Sequence, residues 1–364
     1  MSRNVVRESP RPRIGFQDIE LYAPDRAPAT IDLSDNTNRW GIPPSALLAI
    51  QHASESATPR YPDLYGASLK RAMAAYVGVE PSMIGTGCGS DDVLDSAIRA
   101  FADPGELVVT ADPSFPMIPL FARMNALECK TVPLNSSYGI DVEAMLAENP
   151  RVIYLCSPNN PTGTTIPRAA IEHMLSRTRG ILIVDEAYVE FGGTSVADLV
   201  WEASNLLVVR TMSKAFGLAG LRVGYAIGAS TLIAEVEKSR GPYKVNAIAE
   251  RAAAAAMSAD LDWVRERVTL AVQSREALSR ELMSRGIDVV PSFGNFVFAP
   301  LANASAIALH MRRSGVAVRA FEKLRMISPA LERSGGSALR ISVAAWPEIA
   351  LALAALDDAR VACA

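Results

Sequence analysis

One lysine stands among small and hydroxyl side chains in the stretch TMSKAFGLAGLRVGY, residues 211–225. Lys214 follows an apolar run, and a lysine partly desolvated at such a strand end can lose its proton and become a nucleophilic amine. A lysine on a solvated helix start is the plainer alternative. Arg222, eight positions on, brings a fixed charge and a planar donor fork near Ser213 and Thr211, a combination suited to phosphate. Asp185 closes the apolar run of GILIVDEAY, where a carboxylate is costly unless a cation or donor meets it. In GCGSDD (87–92) the glycines allow close approach and the free N–H groups of a helix start bind oxyanions, so Ser90 and Asp91 could cradle a phosphate. An ordinary helix cap made by either residue fits the same letters. SPNNPTG (157–163) is open to two readings as well, a ligand loop or a well-formed turn.

These residues need elements to position them. Short apolar runs, ELVVTAD (106–112), RVIYLCS (151–157), GILIVDEA (180–187) and NLLVVRTMS (205–213), alternate with stretches long enough for crossover helices. Continuous Val/Ile/Leu runs are what strands buried on both faces look like, so the pattern predicts an α/β fold with a mostly parallel sheet sandwiched by helices. Residues 263–283 place Val264, Val268, Ala271, Leu278 and Leu282 on one face of a long amphipathic helix. Beyond it, GIDVVPSFGNFVFAP, GVAVRAF and LRISVA (339–344) read as strands, and an alanine-rich helix from Pro347 closes a smaller α+β C-terminal domain. The expected division is an N-terminal arm (1–35), a large domain (36–250) and a small domain (251–364).

Composition narrows the function. The chain has 364 residues, 49% of them hydrophobic, enough for a sizeable core. A net charge of -3 offers no global field for nucleic acid or anionic lipid, which points to small-molecule partners. No apolar run approaches the roughly 18 residues of a membrane span, and MSRNVVRESPRPR lacks the apolar region of a secretory signal. The four cysteines (Cys88, Cys129, Cys156, Cys363) are far apart, which argues against a disulfide frame or zinc site and for a cytoplasmic location. His52, His173 and His310 show no metal-ligand spacing.

In a parallel sheet, ligands bind at the carboxyl edge of the strands, where these loops lie. Together they ask for one ligand with a phosphate, a carbonyl that a lysine can trap and a basic ring nitrogen that a carboxylate can keep protonated. Pyridoxal 5′-phosphate has all three. The ordered set NNPTG, DEAY and SKAFGLAGLRVGY resembles the fold type I aminotransferases, and within them the histidinol-phosphate aminotransferase group, from RYPDLYG at 60–66 to LRISVA at 339–344.

The resemblance implies that Lys214 holds the cofactor as a Schiff base and shuttles the proton between substrate and cofactor. Asp185 would pair with the ring nitrogen, and Asn160 and Tyr188 would hydrogen-bond the ring's O3′ oxygen. Ser213, Arg222, Thr211 and the N–H groups of Ser90 and Asp91 would grip the phosphate. Phe115 falls where the family stacks an aromatic on the ring, and many relatives have tyrosine there. Arg340 matches the arginine that binds the substrate's anionic group, and Arg319 a second one used by the histidinol-phosphate group. The sequence alone also allows Arg319 to be an edge-strand charge. Tyr61 resembles a residue that reaches the partner subunit's phosphate, which implies a homodimer with shared active sites. DNTNRWG (35–41) departs from the NENPYG-like sequence usual in the group, and this touches the substrate pocket.

The implied reaction, part of histidine biosynthesis, is ping-pong: an amino donor leaves its nitrogen on the cofactor and a keto acceptor removes it. An aromatic amino-acid aminotransferase would keep nearly the same motifs with an apolar pocket in place of a second arginine. A pyridoxal-phosphate lyase, such as a threonine-phosphate decarboxylase, would look much the same around the lysine. A sensing domain fused to a DNA-binding module fits poorly, because the stretch before DLSDN is too short for a helix-turn-helix domain and the chain is not basic.

Overall fold

A computed structural model describes residues 11–16, 19–21, 27–57 and 59–363. The arm expected over 1–35 therefore lies partly outside the described residues. Twelve strands occur among those described: β1 (Ile31–Asp32), β2 (Ile84–Gly87), β3 (Leu107–Asp112), β4 (Glu128–Pro133), β5 (Val152–Cys156), β6 (Ile181–Asp185), β7 (Leu206–Thr211), β8 (Gly224–Gly228), β9 (Phe296–Pro300), β10 (Val316–Ala317), β11 (Arg319–Phe321) and β12 (Ala338–Ser342).

Seven of them form the large sheet, in the order β2-β8-β7-β6-β5-β3-β4. β8 alone runs against the others, antiparallel to both β2 and β7. This is the mostly parallel sheet expected from the apolar runs. Period-two alternation explains why those runs are continuous. Leu182, Val184, Leu206 and Val208 enter one apolar cluster, while Ile181, Ile183, Leu207 and Val209 enter a second on the opposite face. Each such side chain, once buried, contributes about 1.5–3 kcal/mol. The helix Ser90–Phe101 covers the second face with Val93, Leu94, Ala97 and Ile98.

The smaller sheet is antiparallel, in the order β11-β12-β9. Two stretches differ from the sequence reading. Only Phe296–Pro300 of GIDVVPSFGNFVFAP is a strand, with Val290 joining it through one isolated bridge to Phe298. GVAVRAF breaks in two because it serves two partners: Val316–Ala317 pairs in parallel with β1, and Arg319–Phe321 pairs with β12. The long helix spans Leu261–Ser284 and buries Val264, Ala271, Leu278 and Leu282, with Val268 partly buried. Arg275 shares that face, its Nη1 donating to the carbonyls of Phe191 and Gly294 at 2.9 Å. Among the described residues, no helix is long and apolar enough to cross a membrane.

Candidate active site

The carboxyl ends of β2, β5, β6 and β7 meet the smaller sheet around one cavity of about 360 Å³. Twelve residues singled out from the sequence line it: Ser90, Asp91, Phe115, Asn160, Asp185 and Tyr188, then Thr211, Ser213, Lys214, Arg222, Arg319 and Arg340. Tyr61 does not. It is 83% exposed and stacks on Tyr243 with ring centroids 4.9 Å apart.

At the head of the cavity, Lys214 Nζ donates to the Asp35 carbonyl at 2.9 Å and lies 5.7 Å from the centre of the Tyr188 ring. Burial, with help from the charges of Arg340 and Arg222, pulls its ammonium down to about 8, against the pull of Asp35 and Asp91. A minor share, roughly a tenth at about pH 7, is therefore free amine. Asp185, 4% exposed, accepts from the Tyr154 hydroxyl at 2.7 Å and from the Ala187 N–H at 3.0 Å. Burial nevertheless pushes its carboxyl up to about 6, with Asp91 and Glu186 adding to the rise and the two donors opposing it. A cation placed against it would be held strongly. Tyr188 accepts from Asn36 Nδ2 at 3.1 Å, and burial raises its phenol to about 12, so it stays a neutral donor.

The anion-binding end is built on glycine. Gly89 (φ 84°) precedes the helix at Ser90, and a Cβ there would stand 2.4 Å from Arg222 Nη2. A Cβ on Gly224 would stand 2.2 Å from the Ser90 nitrogen. Only glycine at both positions lets Arg222 and the helix start share one space. The cap reading of Ser90 and Asp91 does not hold: Gly89 is the N-cap, no side chain caps the helix, and Asp92 instead accepts from the Cys88 N–H at 2.9 Å. Arg222 makes long contacts, 3.5 Å to Ser213 Oγ, 3.4 Å to Asp91 Oδ2 and 3.3 Å to the Ala219 carbonyl. Free N–H groups, hydroxyls and a guanidinium at one helix start make up a donor set that suits an oxyanion. SPNNPTG is indeed a closed turn, with the Asn159 N–H donating to Thr164 O and the Gly163 N–H to Asn159 O at 2.7 Å. That turn leaves Asn160 aimed at the cavity.

From the smaller sheet come two arginines. Arg319 and Arg340 are direct cross-strand partners, so their side chains share one face. Arg340, 7% exposed, donates to Asn160 Oδ1 at 2.6 Å and to the Ser34 carbonyl at 2.5 Å. Phe296 and Phe321 flank its guanidinium at 5.5 and 5.8 Å. Two like charges placed directly opposite are destabilising until an anion joins them.

Sequence reasoning placed the segment 35–41 at the substrate pocket but singled out none of its residues. Asn36 is buried with φ 55°; its N–H donates to Ser342 Oγ at 2.8 Å and its carbonyl accepts from Asn295 Nδ2 at 2.9 Å. Asp35 and Thr37 line the cavity beside it. Arg210 was also overlooked. It donates through Nε and Nη2 to Glu186 Oε2 at 2.9 and 2.8 Å, tying the end of β7 to the end of β6. Glu190 shares this cluster, its Oε1 accepting from the Tyr76 hydroxyl at 3.5 Å, and burial raises its carboxyl to about 7 although Arg210 and Tyr76 pull it down.

Glu190 gives a pH-dependent stability with a definite sign. The folded state holds the proton more tightly than the unfolded chain, so the contribution is full below the ordinary value of 4.5 and is lost as pH rises to about 7. Glu190→Gln, neutral throughout, is expected to match the parent's melting temperature at pH 5 and exceed it at pH 8. A melting difference that does not change with pH would contradict this.

The family model of aminotransferase class I and II matches residues 28–355. The histidinol-phosphate aminotransferase of Thermoanaerobacter pseudethanolicus is 33% identical over 337 residues, covering 91% of this chain and 94% of its own. That of Roseiflexus castenholzii is 38% identical over 306 residues, covering 80% and 82%. Among solved structures, histidinol-phosphate aminotransferase from Sinorhizobium meliloti in complex with pyridoxal-5′-phosphate aligns with a TM-score of 0.81 and 26% identity, over 93% of this chain and 92% of that one.

Proposed function

The chain belongs to the class I and II aminotransferase family, and from that premise we propose that it converts histidinol phosphate and 2-oxoglutarate to imidazole acetol phosphate and glutamate. The observation that supports this substrate best is the opposed pair Arg319 and Arg340 facing the cavity that holds Lys214. Histidinol phosphate has a phosphate ester where an ordinary amino acid has its α-carboxylate, and glutamate brings two carboxylates. A pair of guanidinium forks serves both in one pocket.

The residues fit pyridoxal 5′-phosphate. The glycine-built cradle at Ser90 and Arg222 suits its phosphate, the buried Asp185 its ring nitrogen, Asn160 and Tyr188 its ring oxygen, and Phe115 its face. When bound, the cofactor supplies a cationic ring that withdraws electrons from the substrate carbon bearing the amino group. Asp185 keeps that ring nitrogen protonated by charge pairing. Lys214 would hold the cofactor through its amine. Its amine, held down to about 8 by burial and the charge of Arg340, would serve as the base and acid for the proton on the substrate's amino-bearing carbon. Tyr188 donates its phenolic proton as a hydrogen bond, and Arg319 and Arg340 orient the substrate by its anion.

Tyr61 and Tyr243 form an exposed aromatic pair away from this chain's own cavity. A second copy would cover it, so the reading includes a homodimer in which Tyr61 completes the partner's phosphate site. The four cysteines are free, which suits a reducing cytoplasm.

The test is a titration of the holoenzyme, without keto acid, with histidinol phosphate, glutamate, phenylalanine and threonine phosphate in turn. Histidinol phosphate and glutamate are expected to convert the cofactor to its amino form. Conversion only by phenylalanine and glutamate would move the assignment to aromatic amino acids, and carbon dioxide release from threonine phosphate would replace it with a lyase. Arg319→Ala is expected to lower turnover of the phosphate ester at least tenfold more than that of phenylalanine, about 1.4 kcal/mol of discrimination. Equal losses would remove the argument from the arginine pair.

A further inference from the structure

Tyr154 lies in the middle of β5, wholly buried, and does not itself line the cavity. Its surroundings are apolar: Val93, Leu94, Ile98, Val108, Ile183 and Val209 belong to the same cluster. A phenylalanine would fill the same volume, so the hydroxyl needs its own explanation. A buried hydroxyl without a partner costs about 1–3 kcal/mol. The register provides the partner. Tyr154 pairs with Ile183 and Cys156 with Asp185, so Tyr154 and Asp185 are diagonal neighbours on one face of adjacent strands, within reach of an aromatic side chain. The hydroxyl donates to Asp185 Oδ2 at 2.7 Å while the Ala187 N–H takes Oδ1.

We propose that Tyr154 is a positioning residue for the cofactor's ring nitrogen: its hydroxyl fixes the Asp185 carboxylate from the strand beside it, so that Asp185 meets the ring as a charged, correctly turned acceptor. The inference rests on the pyridoxal-phosphate reading of the site and is independent of which amino donor is used. Burial and the nearby charges of Asp91 and Glu186 all favour a neutral Asp185, and the tyrosine is the side-chain donor that opposes them. Without it the carboxyl would take a proton more readily and be free to turn, and a neutral acid no longer holds a protonated ring nitrogen.

The experiment compares the parent, Y154F, D185N and the double variant, each stripped of cofactor and reloaded with ring-¹⁵N pyridoxal phosphate. Y154F is expected to keep a cooperative melting transition without cofactor and to bind the cofactor about tenfold more weakly, in line with loss of a hydrogen bond to a charged group. The pH at which its ring ¹⁵N signal changes from protonated to free is expected to fall by about one unit. The double variant should bind no more weakly than D185N alone, because the tyrosine acts through the aspartate. If Y154F does not fold, fluorotyrosine at 154 keeps the ring and makes a stronger donor, and the ¹⁵N transition should then move upward. Unchanged ¹⁵N titration and affinity, with only a lowered melting temperature, would reduce Tyr154 to packing and overturn the proposal. A parent protein that binds no pyridoxal phosphate would instead overturn the reading on which it rests.

Discussion

Lys214→Ala is expected to abolish turnover, with a loss of about 10⁴-fold or more, and to erase the long-wavelength absorbance of lysine-linked cofactor while the fold survives. General acid–base catalysis alone is worth roughly 10²–10⁴-fold, and here the same amine is also the attachment point. The fold survives because Lys214 contributes little to it: one hydrogen bond to the Asp35 carbonyl and a contact with the Tyr188 ring. Lys214→Arg separates charge from proton transfer. A guanidinium keeps the positive charge and cannot give up its proton near neutral pH, so this variant should be as inactive as the alanine. Either variant turning over at a tenth of the parent rate would remove Lys214 from the chemistry. The readouts are the absorbance spectrum, steady-state rates and far-UV circular dichroism.

Arg340→Ala should have the second-largest effect, on the order of 10²–10³-fold in kcat/KM for donor and acceptor alike. Truncating one side of a buried charged contact costs about 2–5 kcal/mol, and each 1.4 kcal/mol is tenfold. The loss should also exceed that from Arg319→Ala. Arg340 is the more buried of the pair, and its guanidinium holds Asn160 and the Ser34 carbonyl as well as facing the cavity. Its removal therefore loosens a candidate cofactor contact along with the substrate's anchor. Arg340→Lys should recover only part of the loss, since an ammonium keeps the charge without the planar fork. A loss below tenfold for both substrates would show that the substrate anion is held elsewhere.

The four central strands were legible because each is buried on both faces and so spells an unbroken apolar word. Strands without that property were not. β2 (IGTG) and β8 (GYAIG) are rich in glycine, since Gly224 must pass within reach of Ser90, and read as loop. β4 (ECKTVP) is an edge strand with exposed charges. The lone reversed direction of β8 left no trace in the letters at all. In the site, residues whose type is unusual for their place were legible: a lysine, an aspartate and an arginine at apolar strand ends. Tyr154 was hidden because an aromatic among valines and leucines reads as core, and only the cross-strand register shows where its hydroxyl points. Asn36 was hidden because its partners, Ser342 and Asn295, lie more than two hundred residues away in sequence.

That last separation bears on how the protein is made. The segment around Asn36 is among the first parts of the described chain to leave the ribosome, yet it is held by Ser342, Asn295, Arg340 and the pairing of Ile31 with Val316. At roughly 5–20 residues per second, the 306 residues between Asn36 and Ser342 take about 15–60 s to synthesise. In the later part of that interval, once β8 has ended at Gly228, the large sheet has all its strands while the wall of the cavity that includes Asp35, Asn36 and Thr37 waits for its anchors. Cofactor capture thus becomes a late event in the life of the nascent chain, and a ribosome stalled shortly before residue 342 would hold a folded sheet with an unfinished pocket.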